Sequence, residues 1–247
     1  MVLHVVLGLL LLLFPAAVLY WFDKSLLGSF VVAFCRMAVQ LLVLSLVVWA
    51  LVKFDALWLS LLWLVLLCGV SGFFALRRMK LPMAQFLPAV SGGLLAGSLV
   101  VGMYLLLVSL PIADSLGAQW LVPVMSLLVG HSTTTTIHGL SAYHSALSTD
   151  RQQYEFLRGN GATCFQAAQS FVCRAFQAVF APTVANLSVM GLFTMPLLLV
   201  GILLGGLTPL VSFVLTILLI VGCLACSVLS LGVTLWLAHR SSVSLFQ

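Results

Sequence analysis

The stretch DALWLSLLWLVLLCGVSGFFALRRMK, residues 55–80, decides the fold class. From Ala56 to Leu76 it carries no charge, and it closes on Arg77, Arg78 and Lys80. About twenty apolar residues, rising about 1.5 Å each as a helix, match the hydrocarbon thickness of a bilayer. Inside hydrocarbon every backbone N–H and C=O needs a partner within the chain, so such a run is a helix. Similar runs recur along all 247 residues, of which 63% are hydrophobic and only 6% charged. A soluble domain of this size needs a charged surface, and this composition cannot supply one. The expected fold is all-α, a polytopic transmembrane helical bundle forming one membrane domain over residues 1–247.

Seven helices are expected, over residues 2–22, 28–52, 55–76, 86–111, 117–147, 174–204 and 209–238. The first run has no basic start, and bulky Tyr20, Trp21 and Phe22 close it, so it reads as a retained span rather than a signal peptide. Between the runs lie turn signals such as PIADSLG and GGLTP. Pro182 and Pro196 predict a kink or break within the sixth span. Lys24, Arg77, Arg78, Lys80, Arg151, Arg158 and Arg240 fall on one side, with Arg36 and Arg174 nearer to it, while Lys53 alone falls on the other. The positive-inside rule then puts the N-terminus outside and the C-terminus in the cytoplasm of a bacterial inner membrane. The net charge of +5 is scattered over connectors, which suits contact with anionic lipid and gives no patch for nucleic acid.

Three polar features stand out against this background. Arg36 and Gln40 sit at i and i+4 in the second span and share a face. A charged residue at the bilayer centre costs about 2.5–3.5 kcal/mol on insertion scales, so Arg36 is expected either to face protein or water or to snorkel to the headgroups. The stretch VGHSTTTTIHGL, residues 129–140, places His131, Thr135 and His138 on one face of the fifth span, with Ser132 and Thr136 beside them. The hydroxyls can bond back to their own helix, so they enter a membrane cheaply. The imidazoles could line a polar path, meet a soft or borderline metal, or only complete a helix seam. Gly201, Gly205 and Gly206 have the spacing for close helix approach. Cys223 and Cys226 are one helical turn apart and read as packing residues.

The third feature is the segment 148–173, the longest connector and the most charged. Within it EFLRGNGATCFQAAQ, residues 155–169, reads as a short amphipathic helix, a break at Gly159 and Gly161, and a second helix capped by Thr163. Its location on the basic side marks it as a docking surface for a soluble cytoplasmic partner.

Together these elements resemble the FetB-type (YbbM-like) permeases, the membrane half of an iron-exporting ABC transporter, to which plant aluminium-tolerance permeases also belong. The resemblance rests on Arg36, Gln40 and Leu41, on Pro123 and Gly130, and on Glu155, Gly161, Ala162, Gln166, Ala167, Arg174 and Ala175. It continues through Pro182 and Asn186, then Gly191, Leu192, Pro196, Gly201, Leu203, Leu204, Gly206 and Pro209. It departs where the family's Gly-Met-Met-Thr is Leu197 to Val200, and where the family's Gln is Ile202.

The resemblance implies a homodimeric permease driven by a separate cytoplasmic ATPase, and Glu155, Arg158, Gly161 and Gln166 are the residues expected to couple the two. It implies export as the direction and iron as cargo, and the polar residues Arg36, Gln40, His131, Thr135 and His138 are the ones expected to line the pathway. The lost methionines leave a small amphipathic molecule as the other cargo. No cofactor is expected, and without the phosphate-binding pattern G-x4-G-K-[ST] the chain is not expected to be an enzyme. Two rivals remain: a non-transporting scaffold or assembly factor, and a secondary transporter. The second would want an intramembrane carboxylate, yet all five acids lie in or beside connectors.

Overall fold

A computed structural model describes residues 10–22, 24–54, 56–79, 83–109, 117–190 and 196–242. The described residues are helical apart from short turns. In chain order the helices are α1 (Leu13–Phe22), α2 (Lys24–Phe54), α3 (Leu57–Met79), α4 (Met83–Tyr104), α5 (Ala118–Thr149), α6 (Arg151–Gly159), α7 (Cys164–Val189), α8 (Leu197–Leu204) and α9 (Pro209–Ser242). A π-helical turn, Leu105–Ser109, extends α4. Four helices are long and apolar enough to cross a membrane, at Leu27–Phe54, Leu57–Met79, Phe86–Ser109 and Pro209–Ala238. This is an integral membrane protein whose described residues form helices and short turns.

The chain forms two compact units, Met1–Phe54 and Asp55–Gln247. In the first, α1 packs on α2. The ammonium of Lys53 lies 5.3 Å from the ring of Trp49, as suits a cation at the end of a long apolar helix. In the second unit α4 and α9 form the tightest pair, and α5 packs on α3, α4, α7 and α9.

The pairing of α4 with α9 has a specific cause. A Cβ placed on Gly93 would lie 2.1 Å from Oγ1 of Thr234 and 2.8 Å from the carbonyl oxygen of Ser230. One placed on Gly97 would lie 2.1 Å from Oγ of Ser230 and 3.0 Å from the carbonyl oxygen of Cys226. Only glycine permits this approach, and small residues are the usual means of bringing helices together where lipid gives no hydrophobic push. The two helices run antiparallel, since the start of α4 meets the end of α9. Around the seam, Ser132 Oγ of α5 donates to Cys226 Sγ at 3.0 Å, and Cys68 Sγ of α3 lies 4.0 Å from Ser98 Oγ of α4. Cys68, Cys223 and Cys226 are buried free thiols, and for Cys223 and Cys226 this agrees with their reading as packing residues.

Several expectations are refined. The sixth span was expected over 174–204, but α7 starts at Cys164, runs unbroken through Pro182 and ends at Val189. Met190 is the C-cap of α7 and Pro196 the N-cap of α8, and residues 191–195 lie outside the described residues. Pro182 is exposed, and a proline on an open face loses one helix bond without a clash against a packed neighbour. The glycines at 201, 205 and 206 make no close helix approach among the described residues. Nothing lies within 4 Å of a Cβ on Gly201, and Gly206 takes φ +89° to turn the chain from α8 into α9. Gly191 and Leu192 of the resemblance lie outside the described residues.

Candidate functional site

Helix α5 carries the site. Its 32 residues span about 48 Å, more than a bilayer's hydrocarbon needs. Yet it is not among the four helices apolar enough to qualify as spans, because of its run of hydroxyls and histidines. The buried side holds Leu121, Val122, Met125, Leu128, Val129, Leu140 and Tyr143, together with Ser132, Thr135, Thr136 and Gly139. The side that the second unit leaves open holds Gly130, Thr134, His138, Ser141, Ser145 and Ser148, with His131 half-buried at its edge. These positions recur every three or four residues and make one continuous polar stripe.

The hydroxyls are mostly satisfied by their own helix, as expected. Thr133 Oγ1 donates to the Val129 carbonyl at 2.6 Å, Thr134 Oγ1 to that of Gly130 at 3.3 Å, and Thr135 Oγ1 to that of Ser132 at 2.9 Å. Two polar atoms are not satisfied: Nε2 of His131 and Oγ1 of Thr136 are buried with no hydrogen-bond partner among the described residues. The spare ring nitrogen of His131 points into the chain and is not presented on the open stripe.

The stripe ends in a cleft of about 280 Å³ lined by Met79, Ser141, His144, Ser145 and Ser148. It lies at the end of the unit that also carries Arg77 and Arg78, in the last turn of α3. Sequence reasoning passed over Thr134, Ser141, Ser145 and Met79. The signal for the first three was present in their spacing of three and four from His138 and each other, but nothing in the sequence showed which side of α5 the bundle covers.

The predicted pathway residues part company. His138 lies on the open stripe and His131 at its edge. Thr135 turns into the bundle, with 8% of its surface exposed and its hydroxyl bonded within α5. It stands about 40° around the helix from His131, on the covered side of α5. Arg36 and Gln40 are both exposed on α2, in the first unit.

The segment after α5 folds as read. Helix α6 is amphipathic in sequence but buries no residue completely. Glu155 Oε1 accepts from Arg151 Nε at 2.8 Å within the helix, Arg158 is exposed, and Phe156 holds 69% of its surface open. Gly161 takes φ +86°, a conformation that a side chain would strain. Thr163 then opens α7 with a reciprocal cap: its Oγ1 accepts from Gln166 N at 3.3 Å, while Gln166 Oε1 accepts from Thr163 N at 2.9 Å. The side-chain amide oxygen of Gln166 is thus used in starting α7. Phe156, which the sequence reading did not single out, is the large apolar group that α6 presents outward.

Fold and stripe together define an integral membrane protein, helical over its described residues, in which one long helix keeps an exposed polar face. The chain belongs to the family described as "Uncharacterised protein family (UPF0014)", whose model matches residues 2–243. It is 21% identical over 188 residues to the UPF0014 membrane protein YjkA of Bacillus subtilis, covering 76% of this chain and 74% of that one. It is 27% identical over 185 residues to the UPF0014 membrane protein STAR2 of Oryza sativa subsp. japonica, covering 74% of this chain and 63% of that one. It is 24% identical over 205 residues to the protein ALUMINUM SENSITIVE 3 of Arabidopsis thaliana, covering 82% and 73%. No solved structure matches.

Proposed function

We propose that this chain is the permease subunit of an ABC transporter of the FetB type, working as a homodimer with a separate cytoplasmic ATPase. The observation that carries the reading is the reversed polarity of α5. Its open side offers glycine, threonine, serine and histidine where a lipid-facing helix offers large apolar groups. A polar face of this kind at membrane depth calls for water or a second protein surface. In a homodimer the stripes of two copies face one another, lining a cavity in one state and closing as a hydrogen-bonded seam in the other.

The second unit supports an orientation. Arg77, Arg78, Arg151, Arg158 and Arg174 all belong to the end where α3 and α5 finish and α7 starts. With seven crossings that end is cytoplasmic, the N-terminus outside and the C-terminus inside. Helix α6 then lies in the cytoplasm with Phe156 and Arg158 turned outward, an aromatic and an arginine of the kind that dominate binding surfaces. It is the docking element for the ATPase, and ATP-driven closure of that partner moves α5 and opens or shuts the stripe. Cargo is a metal ion such as iron or a small amphipathic molecule, moved outward.

The test is co-purification with the ATPase encoded nearby, followed by ATPase assays in lipid with metal ions and amphipaths as ligands. Converting His131 and His138 to alanine is expected to abolish ligand stimulation while the complex still assembles. Unchanged stimulation removes the stripe from the pathway.

A further inference from the structure

Arg174 lies ten residues into α7, well past the start of a largely apolar helix. Its partner is Asp150: Nη1 of Arg174 donates to Oδ2 of Asp150 across 24 residues of chain. Asp150 is the corner between α5 and α6. Its N–H donates to the Ala146 carbonyl at 3.0 Å, closing α5, and its own carbonyl accepts from Gln153 N at 3.1 Å, opening α6. Its carboxylate makes no capping bond and so is free for Arg174. The guanidinium carbon also lies 5.9 Å from the ring centroid of Phe171, which is wholly buried. Phe171 in turn meets the ring of Tyr154 on α6 at 6.4 Å. Four residues therefore tie α5, α6 and α7 together at one end of α6. The other end differs: Gly159 and Gly161 have nothing within 4 Å of a Cβ, and Gly161 is left-handed.

We infer that Arg174 is a positioning residue that clamps the α5–α6 corner to α7, so that a displacement of α6 reaches both long helices instead of bending the corner. The inference rests on the reading of α6 as the docking element. The glycine end gives, the arginine end holds, and motion is thereby directed toward α5 and its polar stripe. Arginine suits the position because its flat, always-charged head can bond a carboxylate and lie over a ring at once, which lysine cannot. The pair is partly exposed, and such pairs add little to global stability, so the fold survives without it.

The experiment compares R174Q, R174K, D150N and the exchange D150R/R174D in lipid nanodiscs by hydrogen exchange. Amides of residues 152–159 are expected to exchange about tenfold faster in R174Q and D150N, less so in R174K, with the exchange variant restored and the midpoint of thermal unfolding unchanged. In complex with the ATPase, R174Q should still co-purify but lose the difference in ATP turnover between free and permease-bound ATPase. Unaltered exchange in both single variants overturns the clamp. Faster exchange throughout the chain also overturns it, by making Arg174 a general stability residue. If no ATPase co-purifies with the unsubstituted chain, the docking reading fails, while the exchange data still decide whether the clamp exists.

Discussion

Helices α5 and α9 cross the same unit side by side, and both are rich in serine and threonine, yet they spend those residues differently. In α9 the hydroxyls of Ser212, Thr216, Ser227, Ser230 and Thr234 all point inward, while Phe213, Val214, Ile217, Val221 and Trp236 face out. That is how a membrane helix packs: small polar groups against the neighbour, large apolar groups toward lipid. In α5 hydroxyls face both ways. Ser132 and Thr136 are buried, but Thr134, Ser141 and Ser145 are open. The inward set of each helix serves packing, and only α5 keeps a second, outward set that its own fold does not use. That surplus is the reason to place function on α5.

The largest effect that sharpens this contrast is expected at the α4–α9 seam. Gly93→Ala puts a methyl group against the Thr234 hydroxyl and the Ser230 carbonyl oxygen, and backbone cannot yield as a side-chain tip can. It should cost about 1–3 kcal/mol, read as a lower midpoint in thermal unfolding of the purified protein. A midpoint unchanged by Gly93→Ala would mean that the seam is loose and that α9 is not the packing standard taken here.

The same substitution on α5 should do the opposite. A Cβ on Gly130 meets nothing within 4 Å, and alanine favours a helix interior over glycine by about 0.5–1 kcal/mol. Gly130→Ala should therefore leave the monomer as stable or slightly more so. If the midpoint nevertheless falls in lipid but not in detergent, the open face is covered by a second chain.

The smallest effect concerns Thr234. Its Oγ1 is buried without a partner among the described residues, so replacing it with the isosteric valine removes an unsatisfied group rather than a bond. Thr234→Val should change stability by no more than about 0.5 kcal/mol in the unfavourable direction. A larger loss would reveal a hidden partner and make the inner side of α9 more than packing.

Much of this was legible in the chain itself. The apolar runs required helices, and the clusters of arginine marked one end of them. Gly161 and Thr163 announced the turn and cap that join α6 to α7, because left-handed glycines and N-caps are set by local backbone chemistry. The α4–α9 seam was not singled out, although Gly93 and Gly97 have the small-xxx-small spacing. The triplet at 201, 205 and 206 has the same kind of spacing and makes no such contact among the described residues. Spacing states that a close approach is possible, and only a partner helix makes it.

The amino-acid order alone determined that the protein is helical, that it belongs in a membrane, and where its hydrophilic corner lies. These follow from hydrocarbon's refusal of unpaired backbone groups and from turn chemistry a few residues long. The tertiary structure alone decided which side of α5 is covered, that Thr135 falls inside and His138 outside, and that Arg174 finds Asp150. Those outcomes depend on contacts between segments tens of residues apart, and helical periodicity fixes which residues share a face without fixing which face the rest of the chain will choose.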